Sequence, residues 1–516
     1  MKILFVYPNI GSGYSFHPSI QLLSALAKQK GYKTKLLHLH EKYGMPNDPN
    51  ILISIAKNYN PKIIAFTSTD FEYSWVEELV RKMKESMPNV FFLLGGKSAI
   101  EGKDLEKSNF DAFCVGEAEI PFMELLDRLE QGKDYSDIKS MWFKIGDGIV
   151  KNPLGELVTD LDSLPFMDYE IFDVAKLLEV RNHWLSVQFT RGCAFNCTYC
   201  YVTADKKKMF KTGYGLEKYL RKNSVEYSIR FLEHLCKSYP NLIKVFNMDD
   251  ELPVMYKQWW TEFCQKFKER IYKKYGIEFT CNARIDLMSE EIIRLMSESG
   301  CREVRMGFES GSFRIRKEIL DKPIKEEKMI QVYRWCDKYG LRASSFTMIG
   351  IPTEDEESLN ETIRMTAILK PYLIRLTFCY PFENTILWDY VTEHNLIDTA
   401  KYMKQTGYFE ESPLKWEKGF DQTLMIYRYL FPWIVNTVLL PEEKAARYRE
   451  AIELFKNANF RDKEILDVII SLDGDMSALT GDLEHYCYFE RNTAYYHCKN
   501  KKTAIKVNDQ PLKRLA

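Results

Sequence analysis

The chain has 516 residues, and its 72 lysines and arginines nearly balance its 73 aspartates and glutamates, giving a formal net charge of −1. This length predicts about three domains, each long enough to form its own hydrophobic core. The balanced charge argues against a nucleic-acid-binding surface over the whole molecule, so nucleic acid is not an expected partner.

The apolar stretches of the chain do not predict a transmembrane segment. Residues 1–7 have the length of a strand and show no signal-peptide organisation. The stretch Tyr429–Leu440 is interrupted by Pro432 and Asn436 and is too short to span a bilayer, which favours a buried helix. Twelve cysteines without a secretion signal favour a reducing, cytoplasmic location.

Residues 1–140 alternate strand and helix patterns and are interpreted as a Rossmann-like (flavodoxin-like) α/β domain with a buried parallel sheet. Strands are predicted at Lys2–Tyr7, Thr34–His38, Lys62–Phe66, Val90–Leu94 and Ala112–Val115. Ligands of such folds bind at the carboxyl ends of the strands. The candidate binding residues at these ends are Pro8, Asn9, Ser68, Thr69, Gly95, Gly96, Gly116 and Glu117.

Three further segments follow. Residues 141–183 are interpreted as a hairpin and an extended linker. Residues 184–385 carry six strand patterns separated by helical ones, among them Gly215–Cys236, which indicates an open, partial β/α barrel. The six strands are predicted at Trp184–Thr190, Ile243–Met248, Glu278–Asn282, Glu303–Phe308, Arg342–Ile349 and Leu373–Cys379. Residues 386–516 are expected to form a mostly helical cap that shapes the substrate pocket.

A cysteine motif follows the first of these strands. Cys193, Cys197 and Cys200 have C-x3-C-x2-C spacing on a loop, where three thiolates can converge on one centre. Cysteine thiolates hold iron–sulfur clusters, and three ligands leave one iron of a four-iron cubane open to a small molecule. The alternative is a structural zinc site, but zinc requires four ligands and the loop contains no fourth cysteine or histidine.

The cysteine loop resembles the signature of the radical S-adenosylmethionine (SAM) enzymes, which have a six-stranded partial barrel. The resemblance implies that SAM binds the open iron through its amino and carboxylate groups and is cleaved to a 5′-deoxyadenosyl radical. It also implies that Tyr199, the aromatic residue before the last cysteine, flanks the adenine.

Later strand ends also resemble SAM-binding elements of this family. Asp249, Asp250 and Glu251 stand where the family holds the SAM amino group, although an acidic loop or helix cap is the alternative. Asn282 and Arg284 are suited to the ribose and the SAM carboxylate. The remaining family matches are Gly307, Glu309 and Ser310 in a G-x-E-S-G element, and Gly350 and Pro352 in a G-x-P turn beside the adenine.

The N-terminal domain resembles the cobalamin-binding domain that precedes many radical SAM domains, most closely in Leu94–Lys97 and Val115–Glu119. The D-x-H-x-x-G motif that supplies a histidine to cobalt in several cobalamin proteins is absent, and many radical SAM relatives also lack it. The alternative is an inert flavodoxin-like module or a remodelled substrate site.

These resemblances imply a cobalamin-dependent radical SAM methyltransferase that acts at an unactivated carbon, with a [4Fe-4S] cluster, SAM and cobalamin as cofactors. An electron donor such as flavodoxin or ferredoxin and a small-molecule or peptide substrate are the expected partners. The alternatives are a radical SAM cyclase or rearrangement enzyme without methyl transfer, or a non-catalytic iron–sulfur electron carrier or regulator. No general base is assigned, and the catalytic residues stay unknown.

The last part of the chain contains His485, Cys487, His497 and Cys498. These residue types can bind a metal, but their spacing fits no standard finger, so coincidence is the favoured interpretation.

Overall fold

The computed structural model of the chain describes residues 1–10, 13–40, 47–100, 105–146, 148–211, 213–405, 407–489 and 492–501. The chain divides into two compact units. Unit 1 consists of Met1–Ala194 with Asp205–Phe231, and unit 2 consists of Phe195–Ala204 with Leu232–Ala516. The domain boundaries expected from the sequence stay a prediction.

Unit 1 contains a seven-stranded sheet in the order β2-β1-β3-β4-β5-β6-β7. Its strands are β1 Lys2–Pro8, β2 Lys33–Leu39, β3 Ile63–Thr67, β4 Phe91–Gly95, β5 Ala112–Cys114, β6 Met141–Ile145 and β7 Gly148–Lys151. The strands β1 to β5 are parallel, and their buried apolar runs form the core, as the sequence predicts. The β6–β7 hairpin continues the sheet by pairing antiparallel with β5, instead of standing alone as a connector.

The helices up to residue 238 and three short strands complete this part of the chain. The helices are α1 Pro18–Gln29, α2 Pro49–Tyr59, α3 Asp70–Ser86, α4 Lys97–Ile100, α5 Glu119–Gln131, α6 Val174–Val180, α7 Tyr201–Lys211, α8 Leu216–Tyr219 and α9 Val225–Ser238. The short strands are β8 Trp184–Val187, β9 Thr190–Arg191 and β10 Arg221–Lys222.

The helical pattern predicted over Gly215–Cys236 is interrupted in the structure. The structure has α8 and α9 with β10 between them, and β10 pairs antiparallel with β9 through Arg221 and Arg191. This pairing interrupts the helix because its backbone hydrogen bonds replace those that a continuous helix would form.

Unit 2 contains seven strands in the order β16-β17-β15-β14-β13-β12-β11. They are β11 Val245–Met248, β12 Glu278–Ala283, β13 Cys301–Glu309, β14 Arg342–Ile349, β15 Leu373–Phe378, β16 His485–Phe489 and β17 Asn492–Lys499. The strands β11 to β15 are parallel, as expected for a β/α barrel, and each lies within a few residues of its predicted position. The β16–β17 hairpin was not predicted, and it extends the sheet by pairing antiparallel with β15.

The helices of unit 2 follow the barrel strands and then form most of the C-terminal part. They are α10 Lys257–Phe267, α11 Lys273–Tyr275, α12 Glu290–Glu298, α13 Glu326–Lys338, α14 Glu356–Leu369, α15 Ile386–Glu393, α16 Thr399–Lys404, α17 Phe420–Leu439, α18 Glu442–Leu454 and α19 Lys463–Thr480. The predicted buried helix is confirmed, because α17 packs its residues 429–433 in the core. None of the helices in the described ranges is long and apolar enough to cross a membrane.

Candidate active site

The cysteine loop lies between β9 and α7, and contacts within unit 1 fix the backbone of its first part. Gly192 has φ +84°, and a Cβ atom there would lie 2.8 Å from the carbonyl oxygen and ring of Tyr219. The buried Lys206 donates from Nζ to the carbonyl oxygen of Ala194 at 3.1 Å and more weakly to that of Cys193 at 3.4 Å.

Contacts within unit 2 fix the second part of the loop. The Thr198 hydroxyl donates to the carbonyl oxygen of Ile319 at 2.6 Å, and the Thr198 amide donates to Leu320 at 3.2 Å. The Thr198 carbonyl oxygen accepts from the amide of Leu387 at 3.0 Å. The backbone around the last two cysteines is thus held by hydrogen bonds to sequence-distant segments.

The guanidinium of Arg284 contacts one of the three cysteines. Its Nη1 lies 3.1 Å from Sγ of Cys197, and its Nε and Nη2 each donate to the Asp286 carboxylate at 3.0 Å. Its Cζ lies 3.8 Å from the ring centroid of Phe195. Burial lowers the pKa of Arg284, but Asp286 and Cys197 outweigh burial and raise it above its ordinary value. A cation in this position suits the negatively charged sulfur of a cluster ligand.

The three cysteines suit an iron–sulfur cluster. Cys193, Cys197 and Cys200 are free thiols on one contiguous loop, and Cys197 is buried beside a cationic donor. Within the described ranges, no group of three or more His, Cys, Asp or Glu side chains is arranged around a single metal ion. A cubane has a different requirement, because each of its cysteines binds a different iron.

A buried polar triad lies at the carboxyl end of β13. Tyr199 donates its hydroxyl to Glu309 Oε1 at 2.9 Å, and the same oxygen accepts from Lys322 Nζ at 2.8 Å. Burial first, and then the charge of Glu309, raises the pKa of Tyr199 well above its ordinary value, so the phenol stays a hydrogen-bond donor. A Cβ atom on Gly307 would collide with the Glu309 carboxylate, which explains the glycine of the G-x-E-S-G element.

The backbone of Glu309 and the position of Lys322 mark this region as a functional site. Glu309 has φ +64°, a strained conformation for a residue with a side chain, and such strain is concentrated at functional sites. Sequence reasoning missed Lys322, because it follows a short helical turn and has no periodic or motif signal of its own. The neighbouring Ser310 is buried, and its hydroxyl accepts from the Ser312 amide at 3.2 Å.

The predicted G-x-P turn follows β14. Gly350 has φ +71°, and Glu354 Oε2 accepts from the amides of Gly350 at 2.6 Å and Ile351 at 3.3 Å, while Pro352 is buried in the turn. Burial raises the pKa of Glu354 to about 8, with the two amides opposing this shift. The glutamate therefore fixes the turn as a largely neutral acid at pH 7, a role that the sequence did not reveal.

The ends of β11 and β12 are joined by polar contacts. The Asn282 side chain donates to the backbone carbonyl of Asp250 at 2.9 Å, and Asn247 donates to the carboxylate of Asp249. Asp250 is fully buried and the next residue, Glu251, is partly buried. The predicted SAM-binding residues of these two strands are thus close neighbours, although their contact with SAM stays a prediction.

In unit 1, the predicted cobalamin-binding residues lie at one edge of the sheet, since β1, β3, β4 and β5 are parallel neighbours. Ser98 of α4 donates to the backbone carbonyl of Ser68 through both its amide and its hydroxyl, at 3.2 Å each. Gly96 has φ +81°, and a Cβ atom there would lie 2.5 Å from Oγ1 of Thr67. Small residues and buried polar groups at this edge suit a large, flat ligand.

The other residues of this edge have defined positions. Thr69 begins α3, and both its amide and its hydroxyl donate to Glu72 Oε2, at 3.1 and 2.9 Å. The Asn9 side chain is buried and donates to the Gly13 carbonyl at 3.1 Å. Pro8 and Gly95 are the last residues of β1 and β4, and Gly116, with φ +104°, follows β5.

Two histidines also lie near this edge, of which His38 is buried and His17 is partly buried. The ring of His38 stacks on Tyr7, with centroids 5.1 Å apart, and His17 places Nδ1 3.5 Å from the Ile20 amide and Nε2 3.2 Å from the Thr67 hydroxyl. Burial lowers the pKa of both imidazoles to about 4, so both are neutral at pH 7. Both nitrogens of His17 have protein partners.

Glu117 takes part in an ion-pair network. Its carboxylate accepts from Arg221 and Arg191, each with a 2.8 Å contact, and Arg191 also pairs with Glu119 at 2.6 Å. Burial raises the pKa of Glu117, but the two guanidiniums hold it below its usual range. This network links the end of β5 to the strand that precedes Cys193, and a contact between Glu117 and cobalamin stays a prediction.

The four His and Cys residues of the last hairpin do not form one cluster. Cys487 and His497 are opposite each other on β16 and β17, with Sγ and Nε2 2.8 Å apart. Cys498 is the next residue along β17, so its side chain points to the other face of the sheet. His485 bonds to the Ser477 hydroxyl through Nε2 at 2.8 Å.

Comparisons with known proteins agree with this arrangement. The Radical SAM superfamily model matches residues 187–366, and the B12 binding domain model matches residues 12–126. An uncharacterized methyltransferase of Pyrococcus horikoshii, PH0819, is 26% identical over 361 residues, which cover 69% of this chain and 74% of that protein.

Two solved structures show the same fold. The radical SAM methyltransferase TsrM of Kitasatospora setae, bound to tryptophan and a SAM analog, has a TM-score of 0.63 at 15% identity and covers 80% of each chain. The cobalamin-dependent SAM radical enzyme OxsB, bound to aqua-cobalamin and SAM, has a TM-score of 0.64 at 15% identity over 94% of this chain and 76% of its own. The predicted α/β fold, with a B12-binding domain, a radical SAM domain and a helical C-terminal part, is confirmed. The two domains imply a [4Fe-4S] cluster, SAM and cobalamin as cofactors.

Proposed function

We propose that this chain, a cobalamin-dependent radical SAM enzyme related to methyltransferases, methylates an unactivated carbon of its substrate. The observation that carries the proposal is the presence, in one chain, of the cysteine loop of the radical SAM domain and a B12-binding domain. When bound, the cluster and SAM supply a 5′-deoxyadenosyl radical that removes a hydrogen atom, and methylcobalamin supplies the methyl group. The similarity to PH0819 and TsrM, both described as methyltransferases, supports methyl transfer over other radical reactions.

The chain's own residues bind and orient the cofactors in this proposal. Cys193, Cys197 and Cys200 hold the cluster. The acidic residues after β11 accept from the SAM amino group, Asn282 bonds to the ribose, and the fixed loops keep these groups in place before SAM arrives. Such preorganisation avoids reordering during the reaction.

The SAM carboxylate and adenine have their own proposed positions. Arg284 has N–H donors beyond the three used by Asp286 and Cys197, because a guanidinium carries five. We assign the SAM carboxylate to them. Tyr199 and the Gly350–Pro352 turn flank the adenine, and the Glu309–Lys322 pair orients the Tyr199 ring through its hydroxyl.

Partners and location follow from the chemistry. A flavodoxin or ferredoxin would supply the electron that reduces the cluster, and the substrate would be a small molecule or a peptide. We also propose a reducing, cytoplasmic setting, since the twelve cysteines, all of which lie in the described ranges, are free thiols.

Cofactor analysis tests this function. The full chain is purified without oxygen, reconstituted with iron and sulfide, mixed with hydroxocobalamin and desalted, and its iron, cobalt and absorption spectrum are measured. We expect about four irons and one cobalt per chain. The Cys197→Ala variant should lose the cluster and keep the cobalt, while Cys236→Ala, at a buried cysteine outside the loop, should keep both.

The results separate the hypotheses. Four irons without retained cobalt would leave the radical chemistry in place but favour a cyclase or rearrangement enzyme. A wild-type chain without a cluster, or one that forms no 5′-deoxyadenosine from SAM under reducing conditions, would contradict the central proposal.

A further inference from the structure

The parallel sheet of unit 2 has one apolar and one polar face. Residues such as Ile374 and Leu376 pack against α17 on the helix-covered face. Side chains alternate between faces along a strand, and paired residues of neighbouring strands share a face. The pairs Asn282–Arg305 and Phe346–Arg375 therefore lie on the opposite face, which the α17 core does not cover.

Arg305, in the middle of β13, has only neutral hydrogen-bond partners among the described residues. Its Nη1 donates to the Asn247 side-chain oxygen at 2.8 Å and its Nη2 donates to the Met248 carbonyl at 2.9 Å. Its Nε is buried and has no partner among the described residues. Burial, and then the nearby charge of Arg375, lowers the pKa of Arg305, which shows how poorly this cation is compensated.

Arg375, on β15, carries the second cation of this face. Its Nη2 lies 3.3 Å from the carboxylate of Glu303, and its Nη1 is buried without a partner in the described part of the chain. The guanidinium carbon lies 5.2 Å from the ring centroid of Phe346 and 5.9 Å from that of Tyr495. Phe346 is 36% exposed, so this part of the face is open to a ligand.

The charges of this face do not balance. Of these two guanidiniums, that of Arg375 alone forms an ion pair within the described residues, and its partner is Glu303. The nearby carboxylate of Asp249 is exposed and bonded to the Asn247 amide. A buried cation without a counter-charge is costly, and a guanidinium matches the oxygens of a phosphate or carboxylate.

We propose that Arg305 and Arg375 form a binding site for an oxyanion of the substrate, a phosphate, phosphonate or carboxylate group, on the polar face of the unit 2 sheet. Phe346 and Tyr495 border the site and suit an apolar part of the same substrate. This inference rests on the proposed function, because it names a group on the molecule to be methylated. Arg305 lies two residues before Gly307 on β13, so the site is close in sequence to Glu309 of the Tyr199–Glu309–Lys322 triad.

Anion binding by the reconstituted full chain tests the site. The dissociation constants of inorganic phosphate and of acetate are obtained from the rise in melting temperature, in saturating SAM and against potassium chloride of equal ionic strength. We expect Arg305→Gln and Arg375→Gln to weaken binding of the preferred anion at least tenfold, and Arg375→Lys to weaken it less. The relative affinities of phosphate and acetate assign the class of oxyanion.

Arg302 provides the matched control. It lies on the same strand, and its guanidinium is already ion-paired with Glu278 at 2.7 Å. Arg302→Gln should therefore bind the anion as the wild type does. If Arg305→Gln does not fold, the two Arg375 variants decide the question.

Two results would overturn the inference: no stabilisation of the wild type by either anion, or equal anion binding by the wild type and the Arg375 variants. Weaker SAM binding with unchanged anion binding would also overturn it, by assigning the arginines to SAM. Cobalt content is measured separately, so the failure of this site can be told from the failure of the proposed methyltransferase function.

Discussion

The contact between Arg284 and Cys197 places a positive charge beside a proposed ligand of the cluster. Hydrogen bonds to the sulfurs and nearby charge are among the features that set the reduction potential of an iron–sulfur cluster. Reduction adds negative charge, so a cation at 3.1 Å from the Cys197 sulfur makes reduction easier.

We expect Arg284→Gln to lower the midpoint potential of the cluster. A tenfold fall in the ratio of reduced to oxidised cluster corresponds to about 59 mV for one electron, and we expect a shift of this order. A redox titration followed by electron paramagnetic resonance, without SAM, measures it. Arg314→Gln, at an exposed arginine that contacts Thr353, is the control. An unchanged midpoint in an Arg284 variant with full iron content would contradict the prediction.

At the scale of elements, the turn between β14 and α14 depends on a buried acid. Glu354 is 5% exposed, its Oε2 accepts two backbone amides, and its Oε1 is buried without a partner among the described residues. Ionisation would place a charge where no cation pairs with it, which explains why burial raises the pKa of Glu354 to about 8.

This shift predicts the direction of a pH effect. The pKa of Glu354 is higher in the folded state than in the unfolded state. The contribution of its protonated carboxyl to the free energy of unfolding is therefore complete below the unfolded pKa and is lost as the pH rises through about 8. From pH ~6.5 to pH ~8.5, we expect a loss of about 2 kcal/mol in the free energy of unfolding. Glu354→Gln, which cannot ionise, should remove this part of the pH dependence. Chemical denaturation at both pH values measures the free energy of unfolding. An equal loss between the two pH values in the wild type and in Glu354→Gln would refute the assignment.

At the scale of the molecule, Glu117 joins segments that are far apart in the sequence. It pairs with Arg191 and Arg221, and the Arg221 side chain is only 4% exposed. Removal of one partner from a buried pair leaves an uncompensated charge.

We expect Glu117→Gln to reduce the free energy of unfolding by about 3 kcal/mol. In contrast, Glu85→Gln removes an exposed pair with Arg81 and should cost under about 1 kcal/mol. Denaturant titration of both variants makes the comparison. Equal losses would show that the network contributes no more than a surface pair.

Local patterns in the sequence were enough to predict the fold class, the barrel strands and the cysteine loop. Cys193, Cys197 and Cys200 form a short motif, and strand patterns alternate with helical patterns between residues 184 and 385. The partners of these residues were not predictable, because Lys322 and Glu354 reach their sites through tertiary packing. The sequence likewise gave no sign that Arg221 would leave a helix to pair with Glu117.

The hairpin of β16 and β17 was missed for a related reason. Its strands follow a long run of helical patterns, so they were included in the helical cap. Their aromatic and β-branched residues were the available signal. The hairpin is anchored by Asn436 of α17, whose side chain bonds to both the amide and the carbonyl of Tyr486 at 2.8 and 2.7 Å.

The position of this hairpin has a consequence for biosynthesis. Residues 373–375 of β15 pair with residues 495–497 of β17, so a ribosome must make the whole helical region before this edge of the sheet can close. Until then the nascent chain exposes an unpaired apolar strand, which is a template for aggregation. We therefore expect co-production of a chaperone that shields nascent chains to improve the yield of the protein.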